Sequence, residues 1–171
     1  AKYTENLVKA ATNQGVKKFI YLSTAHVYSD NLHGVINEDT PTTNSHPYAV
    51  SNIAGENAVL STTVESSMKG IVVRIANAFG SPMDKNVNCW RLLANDLSKQ
   101  AVVNNSLTIF GDSSVVRDFV TIRNVCKAIE HLIKNDSPSI VNIGSRTSCS
   151  LKEMAKKIQI NCTNLFGFRP P

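Results

Sequence analysis

Three short apolar runs alternate with longer stretches whose apolar residues recur at helical spacing. That alternation restricts the chain to an α/β fold with a mostly parallel sheet. The runs are Phe19–Leu22, Ile71–Ile75 and Ile140–Ile143. Each is short and dominated by β-branched or aromatic residues, as expected of strands covered on both faces.

The intervening segments fill in the order. Residues 2–14 place Leu7, Val8, Ala10 and Ala11 on one stripe, and Gly15 follows as a helix stop. Residues 29–47 carry Asp30, Gly34, Asp39, Pro41 and Pro47 and read as a long loop, a length that usually signals function. A helix is predicted from Tyr48 to Val64, and Gly80-Ser81-Pro82 breaks the strand that follows it. Helices are also predicted over 87–99 and 122–134, with short strands at Leu107–Phe110 and Asp118–Val120. Ser150 begins a last helix, and Glu153 completes a capping box. So few core strands leave a parallel sheet short of neighbours. Together with a start at Ala1 that runs straight into a helical pattern, this reads as part of a longer protein.

Composition narrows the class. A chain of 171 residues, 42% apolar and 18% charged, suits a soluble globular protein with a real core. No apolar run approaches the roughly 18 residues of a membrane span, and no signal peptide is recognisable, so a cytoplasmic protein without a membrane partner is expected. Cys89, Cys126, Cys149 and Cys162 form no C-x-x-C and read as free thiols. His26, His33 and His46 lack metal spacing and read as loop or surface residues; no metal is expected. The net charge of +5 suits a phosphate-bearing ligand. The lysines are scattered rather than gathered with aromatics, which argues against nucleic acid.

One pair of residues carries chemistry. Ser23-Thr24 closes the first strand and Tyr48 opens the next helix. Oxidising a sugar alcohol requires a base for the hydroxyl proton while hydride leaves carbon. A tyrosine can be that base, but it ordinarily titrates near 10, so only about one in a thousand is phenolate at neutral pH. A cation one helical turn away corrects this, because residues i and i+4 share a helix face. A serine or threonine hydroxyl then holds the substrate oxygen in line.

These residues stand inside a longer series. Val16–Tyr28 contains the strand ending in Ser/Thr, and Glu38-Asp39-Thr40-Pro41 forms an acidic loop. His46–Asn52 with Ala54-Gly55-Glu56 is similar to a Tyr-x-x-x-Lys helix, and Arg74–Pro82 to Arg-x-x-Asn-x-aromatic-Gly-x-Pro. Val116–Val120 matches an Arg-Asp-Phe segment, and Asn142-Ile143-Gly144 a late Asn-x-Gly. In this order the segments resemble the extended short-chain dehydrogenase/reductase family, the NAD-dependent nucleotide-sugar epimerases and dehydratases. The resemblance implies the C-terminal part of a Rossmann-type parallel sheet with a small α+β substrate-binding domain. Residues 1–82 and 116–134 would be the half of the NAD(P)-binding domain that carries the Thr/Tyr site. Residues 83–115 and 135–171 would grip the nucleotide.

By the same resemblance, Thr24 binds the substrate hydroxyl and Tyr48 is the acid/base. Tyr48 and residue 52 meet the cofactor, NAD or NADP. Asn77, Arg117 and Arg169 hold the nucleotide diphosphate of a nucleotide-sugar substrate, and the helices over 2–14 and 48–64 form a homodimer. The chain departs from the pattern at Asn52, which replaces the lysine and carries no charge. No glycine-rich dinucleotide loop occurs, so about 100 residues, at roughly 30 per βαβ unit, are expected to precede Ala1. Ala25-His26 follows Thr24 where the family's dehydratases carry carboxyls, which leans the reading toward epimerase or reductase. Arg123-Asn124 stands where acidic residues are usual. The competing reading is a non-catalytic binding or regulatory protein on the same scaffold.

Overall fold

Short continuous apolar runs are expected to pair in parallel, and three of them do. In this computed structural model, residues 2–29, 32–64 and 66–171 are described; Ala1 and Asp30 of the expected loop lie outside them. Strand β1 (Lys18–Thr24) pairs in parallel with β2 (Lys69–Ile75), and β2 with β5 (Ile140–Ile143), giving the order β1-β2-β5. The register sets Ser23 beside Arg74 and Thr24 beside Ile75, so β1 and β2 end at the same edge. Helix α1 (Lys2–Asn13) ends at Gly15, whose φ of 69° is the left-handed stop its sequence position predicts. Helix α2 (Pro47–Val64) makes the crossover from β1 to β2. Val8, Val59, Met68 and Val72 form the core beneath these helices, with Phe19 and Tyr21 packed against it.

These elements belong to a first compact unit, residues 1–76 with 127–143; the second is 77–126 with 144–171. The division differs from the expected one. Residues 116–126 lie with the second unit because β4 (Val116–Thr121) pairs with β3 (Asn77–Phe79) and β6 (Ser148–Ser150), while β5 stays with the first because it pairs with β2. Helix α4 (Ile122–Lys134) begins in the second unit and ends in the first.

In the second unit α3 (Leu93–Lys99) and α5 (Leu151–Phe166) enclose Ala94, Leu97, Ala101, Phe119, Met154, Ile158 and Cys162. Helix α3 is shorter than the predicted 87–99. Asp84 and Asn88 side chains accept from the Asn86 and Trp90 amides, local turns that compete with helix. The chain continues past Lys99 as one wide π turn, Gln100–Asn104. The strand predicted at Leu107–Phe110 is not formed, and the Thr108 amide donates to the Gln100 side chain at 2.8 Å rather than to a ladder. The Ser150/Glu153 capping box is present. Its bonds from the Ser150 amide and hydroxyl hold the Glu153 carboxyl below the usual range. The cap's contribution is therefore complete above the ordinary glutamate value and is lost as pH falls through the lowered one.

Lys18 fastens the end of α4. Its ammonium donates at 2.7 and 2.9 Å to the carbonyls of Leu132 and Ile133, in the last turn of the helix, and at 2.8 Å to that of Asn135 just beyond it. Replacing Lys18 by methionine keeps the stem but removes three charge-assisted bonds. A loss of about 2 kcal/mol is expected in chemical denaturation, with Lys18→Arg retaining part of it.

Candidate active site

The candidate site is built at the C-terminal edge of β1 and β2, over a buried polar network. Arg74 and Glu56 are 6% and 2% exposed. Their ion pair is forked: Nη2 reaches Oε2 at 2.7 Å, and Nε reaches both carboxylate oxygens at 3.2 Å. Ser23 donates a short bond to Glu56. Arg74 Nη1 donates to the Tyr28 hydroxyl at 3.0 Å and lies over the Tyr28 ring. Tyr28 in turn donates to Asn142 Oδ1 at 2.7 Å, and the Asn142 amide donates to Glu38 Oε1. Burial works against the Arg74 charge, but bonds to Glu56 and Tyr28 and the Glu56 charge outweigh it and hold the guanidinium charged more firmly than usual. Burial, then the Glu56 charge, pushes the neighbouring Tyr21 phenol up. Gly55 lets α2 approach that phenol closely, since a Cβ there would overlap the Tyr21 hydroxyl.

Above this network the chain turns sharply. Thr24 is buried, and its Oγ1 accepts the His26 amide at 3.2 Å, capping a single 3₁₀ turn, Ala25–Val27. The His26 carbonyl accepts the Asn44 side-chain amide at 2.7 Å, and Asn44 Oδ1 accepts the His46 amide at 2.8 Å. His46 Nδ1 then accepts the Tyr48 amide at 3.2 Å, closing the open N-terminus of α2, where Pro47 takes the first helical position. A relay of short bonds thus ties the strand end that bears Thr24 to the helix start that bears Tyr48.

Tyr48 is 54% exposed, and the His26 ring meets its ring edge-on, centroids 6.5 Å apart at 67°. His26 keeps the loop position that the sequence suggests. It is half-buried in the turn directly after Thr24 and packs on the candidate base. Spacing carried a signal for this, since a residue two positions after a capping threonine is held by its hydroxyl. Asn52 turns back on its own helix, its amide nitrogen donating to the Tyr48 carbonyl at 2.9 Å. Glu56, two turns beyond Tyr48, points inward to the ion pair. Sequence reasoning placed it in a motif and missed its role.

The remaining expected residues lie in the second unit. The half-buried Asn77 donates to the Asp118 carbonyl at 3.1 Å, fixing β3 against β4. Arg117 is half-buried, and its Nη1 donates to the Val116 carbonyl at 3.4 Å. Asp118 accepts the Ser145 amide at 2.8 and 3.1 Å and leaves no room for a side chain at Gly144, which explains the late Asn-x-Gly. Arg169 lines an open cavity of about 430 Å³ with Lys152 and Lys156. No cluster of three metal-ligating side chains occurs among the described residues, and no described helix is long and apolar enough to cross a membrane.

Residues 1–144 match the model of the NAD dependent epimerase/dehydratase family. The chain belongs to that family. It is 26% identical over 156 residues to the low-salt glycan biosynthesis protein Agl12 of Haloferax volcanii, covering 91% of this chain and 49% of that protein. It is 30% identical over 158 residues to mouse dTDP-D-glucose 4,6-dehydratase, covering 91% and 42%. Among solved structures, the NAD-dependent NDP-hexosamine 5,6-dehydratase TunA of tunicamycin biosynthesis superposes with a TM-score of 0.81 at 26% identity, covering 92% of this chain and 51% of that one. The chain thus spans about half the length of these relatives, and its fold is that of the Rossmann-type epimerases and dehydratases.

Because Arg74 and Glu56 are desolvated, removing one should cost far more than removing both. Glu56→Ala is expected to lose about 3–5 kcal/mol, whereas Glu56→Met with Arg74→Leu loses distinctly less. Equal losses in denaturant titrations would deny the pair its role.

Proposed function

We propose that this chain supplies the substrate-handling residues of an NAD-dependent enzyme that epimerises a nucleotide-linked sugar. The observation that carries the reading is the bonded connection from Thr24 through His26, Asn44 and His46 to Tyr48. It sets a threonine hydroxyl and an exposed phenol at one edge of a parallel sheet. Open α/β sheets bind their ligands at that edge.

The donor set fits a nicotinamide dinucleotide in part. Tyr48 offers an accessible hydroxyl, and Asn52 offers its carbonyl oxygen to a ribose hydroxyl, its amide nitrogen being committed to the helix. NAD, when bound, would accept the hydride and return it. Thr24 would hold the sugar carbinol, and Tyr48 would take its proton as the carbonyl forms and give it back after the ketone has turned. In the second unit, Arg117 and Asn77 would engage the diphosphate, where a guanidinium fork matches paired phosphate oxygens. Arg169, with Lys152 and Lys156, would add positive charge for the same nucleotide. A homodimer through α1 and α2 is part of this reading, supported by Tyr3, Leu7, Val50 and Val64, which leave apolar surface exposed on the two helices.

Asn52 favours a second reading, a binding protein without turnover, because no ammonium stands one turn from the phenol. The two separate on one substitution. In the complete protein supplied with NAD and a UDP- or dTDP-hexose, Asn52→Lys is expected to raise turnover by about 10²-fold or more, within the usual worth of acid–base catalysis. A protein that binds both ligands and stays silent in both forms is a binding protein.

Nucleotide recognition has its own test. Arg117→Ala is expected to weaken UDP or dTDP binding about 10- to 100-fold by calorimetry, the worth of one charge-assisted phosphate contact. Unchanged affinity would remove Arg117 from the site.

A further inference from the structure

The second unit holds a cavity of about 260 Å³, lined from β3, β4, β6, α3 and α5. None of the residues assigned above to sugar, cofactor or nucleotide lines it. Its lining is graded in polarity. Ala94, Phe119, Met154 and Ile158 are buried members of the unit's core, and Phe79 packs against them. The polar residues Thr147, Lys157 and Asn161 are exposed. The cavity therefore has an apolar interior and a polar mouth. Helical spacing arranges this, because Met154, Lys157, Ile158 and Asn161 stand at i, i+3, i+4 and i+7 and share one face of α5.

Two physical facts narrow the guest. The volume is many times the roughly 30 Å³ that one water occupies, and an apolar interior favours an apolar guest over solvent. Lys157 gives the lining its charge, and the rest of the lining is neutral. That charge is felt by Glu153 one turn earlier, but the Glu153 carboxylate is bonded to the Ser150 amide and hydroxyl. The cavity thus pairs an apolar interior with one cation at its mouth, the complement of an amphiphilic anion.

We propose that this cavity binds a small carboxylate with an apolar body. The body lies among Phe119, Met154 and Ile158. The carboxylate stays at the mouth and accepts from the Lys157 ammonium and the Asn161 side-chain amide. Size limits the guest. The cavity falls just below the range of drug-sized sites, about 300–1,000 Å³, so a ligand of about ten non-hydrogen atoms suits it. A nucleotide-sugar is several times that size. The proposal does not rest on the functional reading above.

Octanoate is the probe, and Met154 is the reporter. The chain carries three methionines, Met68, Met83 and Met154. Their methyl groups are labelled with ¹³C and followed by NMR, and Met154→Leu identifies the Met154 signal. Octanoate is expected to shift that signal to saturation with a midpoint of about 1 mM, leaving the Met68 and Met83 signals in place. Lys157→Met should weaken octanoate about tenfold, and Lys157→Arg should retain it. Octanol, with the same chain and no charge, should bind Lys157→Met as it binds the native protein. A Met154 signal that stays flat up to about 10 mM octanoate overturns the proposal. So does an octanoate affinity unchanged in Lys157→Met. An octanoate shift that UDP-glucose abolishes also overturns it, because the cavity is then part of the nucleotide site.

Discussion

The forked ion pair between Arg74 and Glu56 is the interaction on which the first unit depends. It joins β2 to α2 where both are desolvated, and its remaining bonding capacity goes to Ser23 and Tyr28. Ser23 precedes Thr24 and Tyr28 follows the 3₁₀ turn, so the pair grips the chain on both sides of the candidate site. A pair this buried is not a strong source of stability by itself, since the cost of removing two ions from water offsets most of their attraction. Its value is in fixing geometry. Each nitrogen and oxygen of the pair is bonded, with partners drawn from several segments, so a shifted register would leave a buried charge unsatisfied.

From that base the site follows by short steps. The Thr24 hydroxyl caps the turn, the turn places His26, and Asn44 and His46 carry the constraint to the first residues of α2. The long loop is therefore bonded at its far end to both elements that bear the candidate chemistry. Asn44, buried in a segment that is otherwise mostly exposed, explains why the loop returns so closely to the strand end.

Much of this was legible in the sequence, for identifiable reasons. Strands β1, β2 and β5 announce themselves by short, nearly continuous apolar runs, although only β2 is buried along its length. Gly15 and the Ser150/Glu153 pair mark helix ends by local chemistry, and the structure keeps both. The failures also have local causes. The helix predicted from 87 starts later because Asp84 and Asn88 form side-chain turns, and no periodicity reveals that competition. Strands β3 and β6 are three residues each, too short for an alternating pattern to be read. The compact units follow strand partnership, β4 with β3 and β6 and β5 with β2, and so differ from the division drawn from the family resemblance. At the site, Thr24 and Tyr48 were chosen by motif, and Glu56 was seen only as part of one. His26 was read as a loop or surface residue, and it lies half-buried in the turn that the Thr24 hydroxyl caps.

The central claim is that the Thr24 hydroxyl and the Tyr48 phenol address one sugar carbinol. The most direct measurement is a crystal structure of the complete protein with UDP-glucose or dTDP-glucose bound. The account predicts a single hexose hydroxyl within hydrogen-bond distance of both Thr24 Oγ1 and Tyr48 Oη, about 2.6–3.2 Å from each. A bound hexose whose hydroxyls meet neither oxygen, or meet them at opposite ends of the sugar, would contradict it.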